Sequence, residues 1–109
     1  MNYWSKIAYL SKTGLARLID HTLLEPEATP ADIDEHCRQA REYEFASVCV
    51  HPCYVPVAYD LLSGSPVAVC AVVGFPLGAN APPVKAQEAA LAVREGASEV
   101  DVVMNVGLF

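Results

Sequence analysis

Four apolar segments recur along the chain, and they predict its main strands. Three of them are rich in valine and show no clean alternation of apolar and polar residues. Continuous β-branched runs of this kind are typical of parallel strands that are covered on both faces. The predicted strands lie within the segments Leu15 to Leu24, Phe45 to Val50, Val67 to Phe75 and Ser98 to Val106.

The first helix between these strands has a strong start signal. Thr29 is a good N-cap, Pro30 suits the first helical position, and Asp32 follows the cap by three residues. This arrangement satisfies free backbone N–H groups and places an acid near the positive end of the helix dipole. The predicted apolar stripe of this helix consists of Ile33, Cys37, Ala40 and Tyr43.

Two further helices are predicted between the remaining strands. One starts near Pro52 and ends at the turn Ser63 to Pro66, and the other starts at Pro82 and stops at Gly96. The first of these is predicted to bury Val55, Ala58, Leu61 and Leu62. The second is predicted to present Ala86, Ala89, Ala90 and Val93 to the sheet.

The order of elements predicts an α/β fold with right-handed crossovers. A short N-terminal helix over about Tyr3 to Lys12, closed by Gly14, precedes the first strand. Two architectures share this order: an open doubly wound sheet, and a (β/α)₈ TIM barrel of which four βα units would be half. Because no internal repeat or linker is visible, residues 1 to 109 are expected to form a single domain, and a partial one if the fold is a barrel.

Composition and charge narrow the range of partners. A chain of 109 residues with 53% hydrophobic and 18% charged residues has the composition of one globular domain. Its 13 acidic residues outnumber 7 basic ones, and this balance excludes the basic footprint of a nucleic-acid or anionic-membrane binder. A small-molecule partner is therefore expected. Without an apolar run of about 18 residues or a signal-peptide pattern, the protein is predicted to be cytoplasmic.

The four cysteines do not have the spacing of a metal site. Cys37, Cys49, Cys53 and Cys70 form no CxxC pair and have no histidine at zinc-finger spacing, so neither a metal nor another cofactor is expected. In a reducing compartment such residues mostly act as small buried hydrophobes. Cys49, near a strand end, is a candidate nucleophile, but no neighbouring residue in the sequence supplies a general base, and a packed thiol is expected.

Polar residues cluster near the C-terminal ends of the predicted strands, where both architectures bind ligands, and Asp20 and Thr22 are expected to close the first strand. Asp101 lies inside an apolar run, and a buried carboxylate there needs a cation or a chemical role to offset its desolvation. Asp20 occupies a comparable strand position, and this second acid favours chemistry over a structural role. Strand alternation points His21 away from the face of Asp20, and His36 is expected to be solvated on a helix. The remaining polar or reactive groups at these ends are Thr22, Cys49, His51, Gly74, Phe75 and Asn105.

One loop between a strand and a helix contains two glycines. The stretch Gly74 to Asn80, GFPLGAN, has neither the GxGxxG spacing nor the Lys-Ser/Thr pair of a phosphate-binding loop. We expect it to form a tight turn before the third helix.

Four segments together resemble the deoxyribose-phosphate aldolase family. They are LIDHTLL, ASVCVHPCYV, VCAVVGFPLGAN followed by VKAQEA, and GASEVDVVMNVG, and they span Leu18 to Gly107. The resemblance implies the N-terminal half of a (β/α)₈ barrel. It also implies a class I aldolase that needs no metal and acts in deoxyribonucleotide catabolism. Such an enzyme reversibly cleaves 2-deoxy-D-ribose 5-phosphate to acetaldehyde and D-glyceraldehyde 3-phosphate through a lysine Schiff base.

The same resemblance implies roles for five residues. Asp101 matches the family's proton-relay acid and base, which exchanges protons with the carbinolamine and enamine. By the same match, Asp20 helps to hold the lysines and Thr22 contacts the substrate. Cys49 and Phe75 line the pocket. The implied partner is a small phosphorylated sugar, and a homo-oligomer is compatible with the resemblance.

The family's Schiff-base lysine lies on a later strand, in a stretch resembling VKTSTG, and this stretch is not among the 109 residues. A second lysine and the phosphate-binding loops also come later in the family. The chain is therefore expected to be an N-terminal half that is inactive alone. Two alternatives stay open: a non-enzymatic half-barrel that pairs with itself or with a complementary chain, and a doubly wound nucleotide-binding domain, against which the missing glycine fingerprint argues.

Overall fold

The computed structural model of the protein describes residues 12 to 109 and confirms the alternation of strands and helices. Within this part of the chain, no helix is long and apolar enough to cross a membrane. A 3₁₀ turn over Pro52–Tyr54 follows the second strand. The elements are α1 (Lys12–Ala16), β1 (Asp20–Leu23), α2 (Pro30–Tyr43), β2 (Ser47–Val50), α3 (Val55–Leu62), β3 (Ala68–Val73), α4 (Pro82–Glu95) and β4 (Glu99–Val102).

The four strands form one parallel sheet in the order β1-β2-β3-β4. A doubly wound sheet would place a later strand beside β1 on its other edge, because its strand order reverses at the switch point. Consecutive strands that remain neighbours are the arrangement of a barrel. The structure is therefore an α/β fold whose four parallel strands lie in the order of a barrel, and the doubly wound alternative is excluded.

Helices α2, α3 and α4 pack on one face of the sheet, which we call the helix-covered face. Val48 and Val50 of β2 are completely buried there, as is Ala71 of β3. The helices contribute small and branched apolar side chains that fill the space above these strands. The main helix residues of this core are Ile33, Cys37, Ala40, Val55, Ala58, Leu62 and Ala92.

The opposite face, which we call the open face, carries the other half of each strand's side chains, because successive residues alternate between faces. Cys49, Cys70 and Val72 form a small buried cluster at its centre. The expectation that the valine-rich strands are covered on both faces is confirmed for β2 and β3, whose residues are almost all buried, and is not met for β4 among the described residues. The strand residues on the open face are Asp20, Thr22, Ser47, Cys49, Ala68, Cys70, Val72, Glu99 and Asp101.

The first apolar segment does not form one long strand. Lys12–Ala16 is a helix, Arg17 and Leu18 form a turn closed by the Leu18 N to Leu15 O bond of 3.0 Å, and β1 begins only at Asp20. Gly14 lies inside α1 and does not close it. The rest of the expected N-terminal helix lies outside the described residues. A short apolar run is compatible with either a helix or a strand. Here the backbone hydrogen bonds of the turn separate the helix α1 from the strand β1.

The start of α2 is confirmed in detail. Thr29 accepts a bond from the Asp32 backbone N–H at 3.2 Å, and the Asp32 carboxylate accepts one from the Thr29 backbone N–H at 2.8 Å. This reciprocal capping box satisfies two free donors. Tyr43, the last residue of the helix, is exposed and lies beside the ring of Phe45, so its predicted place in the buried stripe is wrong.

Helix α4 is rotated relative to its predicted orientation. Ala92 is buried and Ala89 is half-buried, and Lys85 and Glu88 lie on the same side of the helix. Both charged side chains bind backbone groups at the ends of β3 and β4, and these bonds favour the observed rotation. The predicted stripe members that are instead exposed are Ala86, Ala90 and Val93.

Two histidines stack between β1 and α2. His21 points to the helix-covered side, as predicted, and its Nε2 lies 2.9 Å from Oε1 of Gln39. The rings of His21 and His36 are parallel within 2° with centroids 3.6 Å apart, so the prediction that His36 is solvated is wrong. Burial, and next the nearby His21, lower the pKa of His36, while Glu25 has a smaller opposing effect.

We expect His36 to make the protein less stable in mild acid. Because its pKa is lower in the folded state, the unfolded state binds more protons, and stability falls as the pH drops from about 6.5. His36→Gln should reduce the slope of the unfolding free energy against pH, by an amount that corresponds to less than one proton. Urea unfolding at a series of pH values between 5 and 8 measures it, and equal slopes for both proteins would contradict the assignment.

Candidate functional site

Asp20 lies on the open face but at the opposite end of its strand from the one expected. It is the first residue of β1, so it lies at the amino end and does not close the strand. Its Oδ1 accepts a hydrogen bond of 2.7 Å from the Ser47 hydroxyl on β2. The two residues are register partners, which explains the contact. Asp20 thus keeps an exposed carboxylate whose orientation is set by a buried serine.

Asp101 is the third residue of β4, and it is exposed, contrary to the expectation of a buried acid. Its apolar neighbours in sequence led to that expectation, but they alternate in direction along the strand while Asp101 points to the open face. The Cys49 thiol lies 3.9 Å from Asp101 Oδ2 and donates to it. The carboxylate is therefore available to a bound molecule on this face.

Cys49 is almost completely covered, with 2% of its surface exposed. Burial raises the pKa of its thiol, and the negative charges of Asp101 and Asp20 add to this effect. A thiol that resists ionisation is a weak nucleophile at neutral pH. The prediction of a packed thiol is confirmed, and the pocket-lining role of Cys49 stays a prediction.

Thr22 and Phe75 occupy different parts of the site. Thr22 is the register partner of Cys49, and its hydroxyl donates to the Asp20 carbonyl at 2.9 Å. Phe75 follows β3 and is 43% exposed, with its ring edge against His51 at a centroid distance of 5.5 Å. The structure thus brings Asp20, Thr22, Cys49 and Asp101 onto one face and leaves Phe75 beyond the carboxyl end of the strands.

The glycine-containing loop forms the tight turn that its sequence predicts. Gly78 N donates to Gly74 O at 2.7 Å, and Gly78 has a φ of 68°, which favours glycine. A side chain at Gly78 would collide with the carbonyl oxygen of Met104. The loop therefore packs directly on the backbone that follows β4.

Two side chains of α4 hold the carboxyl ends of the strands. Glu88 Oε1 accepts a bond of 2.7 Å from the backbone N–H of Gly74, just after β3. The Lys85 amine donates to the carbonyl of Val103, just after β4, at 2.8 Å. These contacts orient the ends of β3 and β4. They are not apparent from the sequence, because they join segments that only the folded chain brings together.

Three further open-face residues with polar or reactive side chains were not predicted from the sequence. They are Ser47, Cys70 and Glu99. Cys70 is the register partner of Cys49, and their two Sγ atoms and an oxygen of Asp101 all lie within 4.8 Å of one another. Strand alternation could have identified these residues. Once Cys49 and Asp101 are assigned to the open face, every second residue along each strand lies on that face too.

The exposures of the cysteines predict an order of alkylation. Cys53 is exposed, whereas Cys37, Cys49 and Cys70 are buried and burial raises the pKa of each. Iodoacetamide at pH 8 should modify Cys53 at least about tenfold faster than the other three. Peptide mass spectrometry over time measures the rates, and labelling in urea, where the four rates should converge, is the control. Equal rates for Cys49 and Cys53 in the folded protein would contradict the burial.

Comparison with curated proteins gives extensive similarity to part of one kind of enzyme. A deoxyribose-phosphate aldolase of Clostridium kluyveri is 58% identical over 98 residues, covering 90% of this chain and 45% of the relative. One of Enterococcus faecalis is 56% identical over 93 residues, covering 85% of this chain and 42% of the relative. The chain thus spans less than half the length of these relatives. No protein-family model matches the chain.

Solved structures give the same result at the level of the fold. A tetrameric deoxyribose phosphate aldolase from Aeropyrum pernix superposes with a TM-score of 0.85 at 39% identity, covering 90% of this chain and 42% of that one. The aldolase QR15 gives a TM-score of 0.81 at 39% identity, covering 86% of this chain and 42% of that one. The backbone described above is therefore similar to a contiguous portion of known aldolases.

Proposed function

Because the chain belongs to the deoxyribose-phosphate aldolase family over about 45% of the length of its relatives, we propose that it forms the N-terminal half of a class I aldolase barrel. The proposed reaction is the reversible cleavage of 2-deoxy-D-ribose 5-phosphate to acetaldehyde and D-glyceraldehyde 3-phosphate, a step of deoxyribonucleotide catabolism. The observation that carries the proposal is the exposed carboxylate of Asp101 on the open face, within a segment similar to the family's.

In this proposal Asp101 moves protons during the reaction. A carboxyl group on the concave side of a barrel can donate its proton to the carbinolamine hydroxyl, which leaves as water. The resulting carboxylate can take the proton of the sugar's C3 hydroxyl as the C2–C3 bond breaks, and then return it to the enamine carbon. Its backbone is held by β4 pairing with β3 and by the Lys85 bond to Val103 just beyond the strand. A general acid and base contributes only when it is held within hydrogen-bond reach, so these contacts support the role.

The other site residues have proposed roles that follow their placement. Asp20, oriented by Ser47, is proposed to hold the lysines that the remaining strands supply. Thr22 is proposed to contact the sugar, and Phe75 to form an apolar wall at the carboxyl end of the strands. Cys49 is proposed to form the floor of the pocket, because its buried thiol donates to the carboxylate of Asp101 on this face.

The proposal also includes a setting for the activity. Residues 1 to 109 would be a single partial domain, and the substrate a small phosphorylated sugar. A homo-oligomer is proposed because a structurally similar aldolase is tetrameric. A cytoplasmic location is proposed because all four cysteines are free thiols, the state that a reducing compartment maintains.

The experiment that tests this function measures cleavage of 2-deoxy-D-ribose 5-phosphate by the chain joined to the later strands of a relative, with released glyceraldehyde 3-phosphate coupled to a dehydrogenase. Turnover supports the proposal, and a folded hybrid without turnover contradicts it.

The Cys49→Ser hybrid should keep most of the activity, because a buried thiol with a raised pKa does not supply the nucleophile. Complete inactivation with an intact fold would make Cys49 essential.

One observation favours a second candidate, a non-enzymatic half-barrel that pairs with itself or a complementary chain. The described strands leave one edge of β1 and one edge of β4 without a strand partner, and such edges favour pairing. Apolar side chains near β4 are also exposed, namely Val102, Met104, Val106, Leu108 and Phe109. Size-exclusion chromatography of residues 1 to 109 discriminates, because a lone monomer contradicts self-pairing.

A further inference from the structure

Three potential metal ligands converge on the open face from three neighbouring strands. The Sγ atoms of Cys49 and Cys70 and a carboxylate oxygen of Asp101 all lie within 4.8 Å of one another. In a tetrahedral zinc site, two sulfurs at about 2.3 Å from the ion are about 3.8 Å apart, and a sulfur and an oxygen at about 2.0 Å from it are about 3.5 Å apart. The distance of 3.9 Å between Cys49 Sγ and Asp101 Oδ2 is within about 0.4 Å of this value. Side-chain adjustments of about 1 Å would bring all three pairs to the required distances.

We propose that Cys49, Cys70 and Asp101 form a binding site for a thiophilic divalent cation of the class of Zn²⁺ and Cd²⁺. The three side chains supply two sulfurs and one oxygen. The fourth position faces solvent, because Asp101 is exposed while the two thiols lie beneath it.

The donor set selects the class of cation. Two thiolates favour soft or borderline ions, whereas Mg²⁺ and Ca²⁺ require oxygen ligands and would find one carboxylate. The two thiols are preorganised for binding the cation, because Cys49 and Cys70 are register partners on adjacent parallel strands. Both are held by the surrounding cluster with Val72, so little side-chain freedom is lost on binding.

Binding must release protons. Each thiol loses its proton to solvent when its sulfur coordinates the cation, so up to two protons leave for each ion bound. Burial raises the pKa of both thiols, and the carboxylates that face them are Asp20 from β1 and Glu99 and Asp101 from β4. The ion therefore competes with protons for the two sulfurs.

Occupation of this site would inhibit the proposed aldolase. The cation would engage the carboxylate of Asp101, which the proposed mechanism needs for proton transfer, and it would place a positive charge where the reacting sugar lies. This consequence depends on the proposed function, whereas binding itself does not.

Titration of the protein with Cd²⁺ tests the site through the ultraviolet charge-transfer absorption of cadmium thiolates. One ion per chain is expected, and Cys49→Ser and Cys70→Ser should each weaken binding by at least about 10-fold to 100-fold. Cys53→Ser and Cys37→Ser are matched controls and should bind as the wild type does, because these thiols lie outside the cluster. Absence of the absorption, or its loss in Cys53→Ser alone, would overturn the inference.

Asp101→Asn keeps the inference testable if a serine variant fails to fold. Asp101 is exposed, so its amide should leave the circular dichroism spectrum unchanged while weakening Cd²⁺ binding about 10-fold or more. Unchanged affinity in this variant would overturn the three-ligand site. A protein that binds Cd²⁺ but cleaves no sugar phosphate would contradict the proposed function alone. An active enzyme without Cd²⁺ binding would contradict this inference alone.

Discussion

Asp101→Asn is expected to lower the turnover of the barrel completed by later strands by about 10²-fold or more, without a change of fold. The carboxylate lies on the open face at the third position of β4, where a bound substrate can reach it. An amide of the same shape keeps the strand intact but neither accepts nor returns the proton. The amide oxygen can still accept the bond that the Cys49 thiol donates to Asp101, so the fold should stay intact.

Glu99→Gln is the matched control for this prediction. Glu99 lies two residues earlier on the same strand and the same face, and it is also an exposed acid. Its amide variant should keep near wild-type turnover if the effect at Asp101 is specific to the proton relay. Steady-state kinetics with circular dichroism on both variants measures the difference. Near wild-type turnover of a folded Asp101→Asn variant would remove Asp101 from the mechanism.

Residues 1 to 109 by themselves are expected to show no measurable cleavage of 2-deoxy-D-ribose 5-phosphate. A class I aldolase needs an amine that is neutral near pH 7 and lies where the carbonyl binds. Of the three lysines, Lys6 lies outside the described residues and Lys12 lies in α1, with its amine 6.0 Å from the Tyr43 ring centre. Lys85 lies nearest the site, but its amine donates to the carbonyl of Val103.

Incubation of this chain with acetaldehyde and borohydride, followed by peptide mass spectrometry, measures imine formation at each lysine. The expected result is slow, substoichiometric and unselective modification. Lys85→Arg is a suitable control, because arginine keeps a donor near Val103 and offers no amine that forms an imine. Selective, stoichiometric trapping at Lys85, together with cleavage of the sugar phosphate, would contradict the prediction and place the Schiff base on α4.

Local structure was predictable from the sequence where it depends on a few consecutive residues. The capping box of Thr29 and Asp32 formed as its spacing indicates, because both partners lie within one helical turn. The turn from Gly74 to Gly78 formed for the same reason. His21 pointed away from the site because strand alternation needs no knowledge of the rest of the fold. These features were therefore accessible from the sequence.

Features that depend on distant segments were predicted less well. The orientation of α4 follows bonds from Lys85 and Glu88 to backbone groups of other elements, which no periodicity of the helix contains. His36 was expected in solvent because its partner, His21, is 15 positions away in the sequence. Asp101 was expected to be buried because hydropathy alone does not tell which face of a strand a helix covers.

The sequence by itself determined the type and order of the elements, the start of α2 and the identity of the acids and thiols on the strands, because these depend on local backbone preferences and side-chain period. The tertiary structure decided which of these side chains meet. Register between parallel strands is set by packing between segments far apart in the chain, and it placed Cys70 beside Cys49 and Asp101 within reach of both. The chemistry of the open face therefore exists only once the sheet has formed.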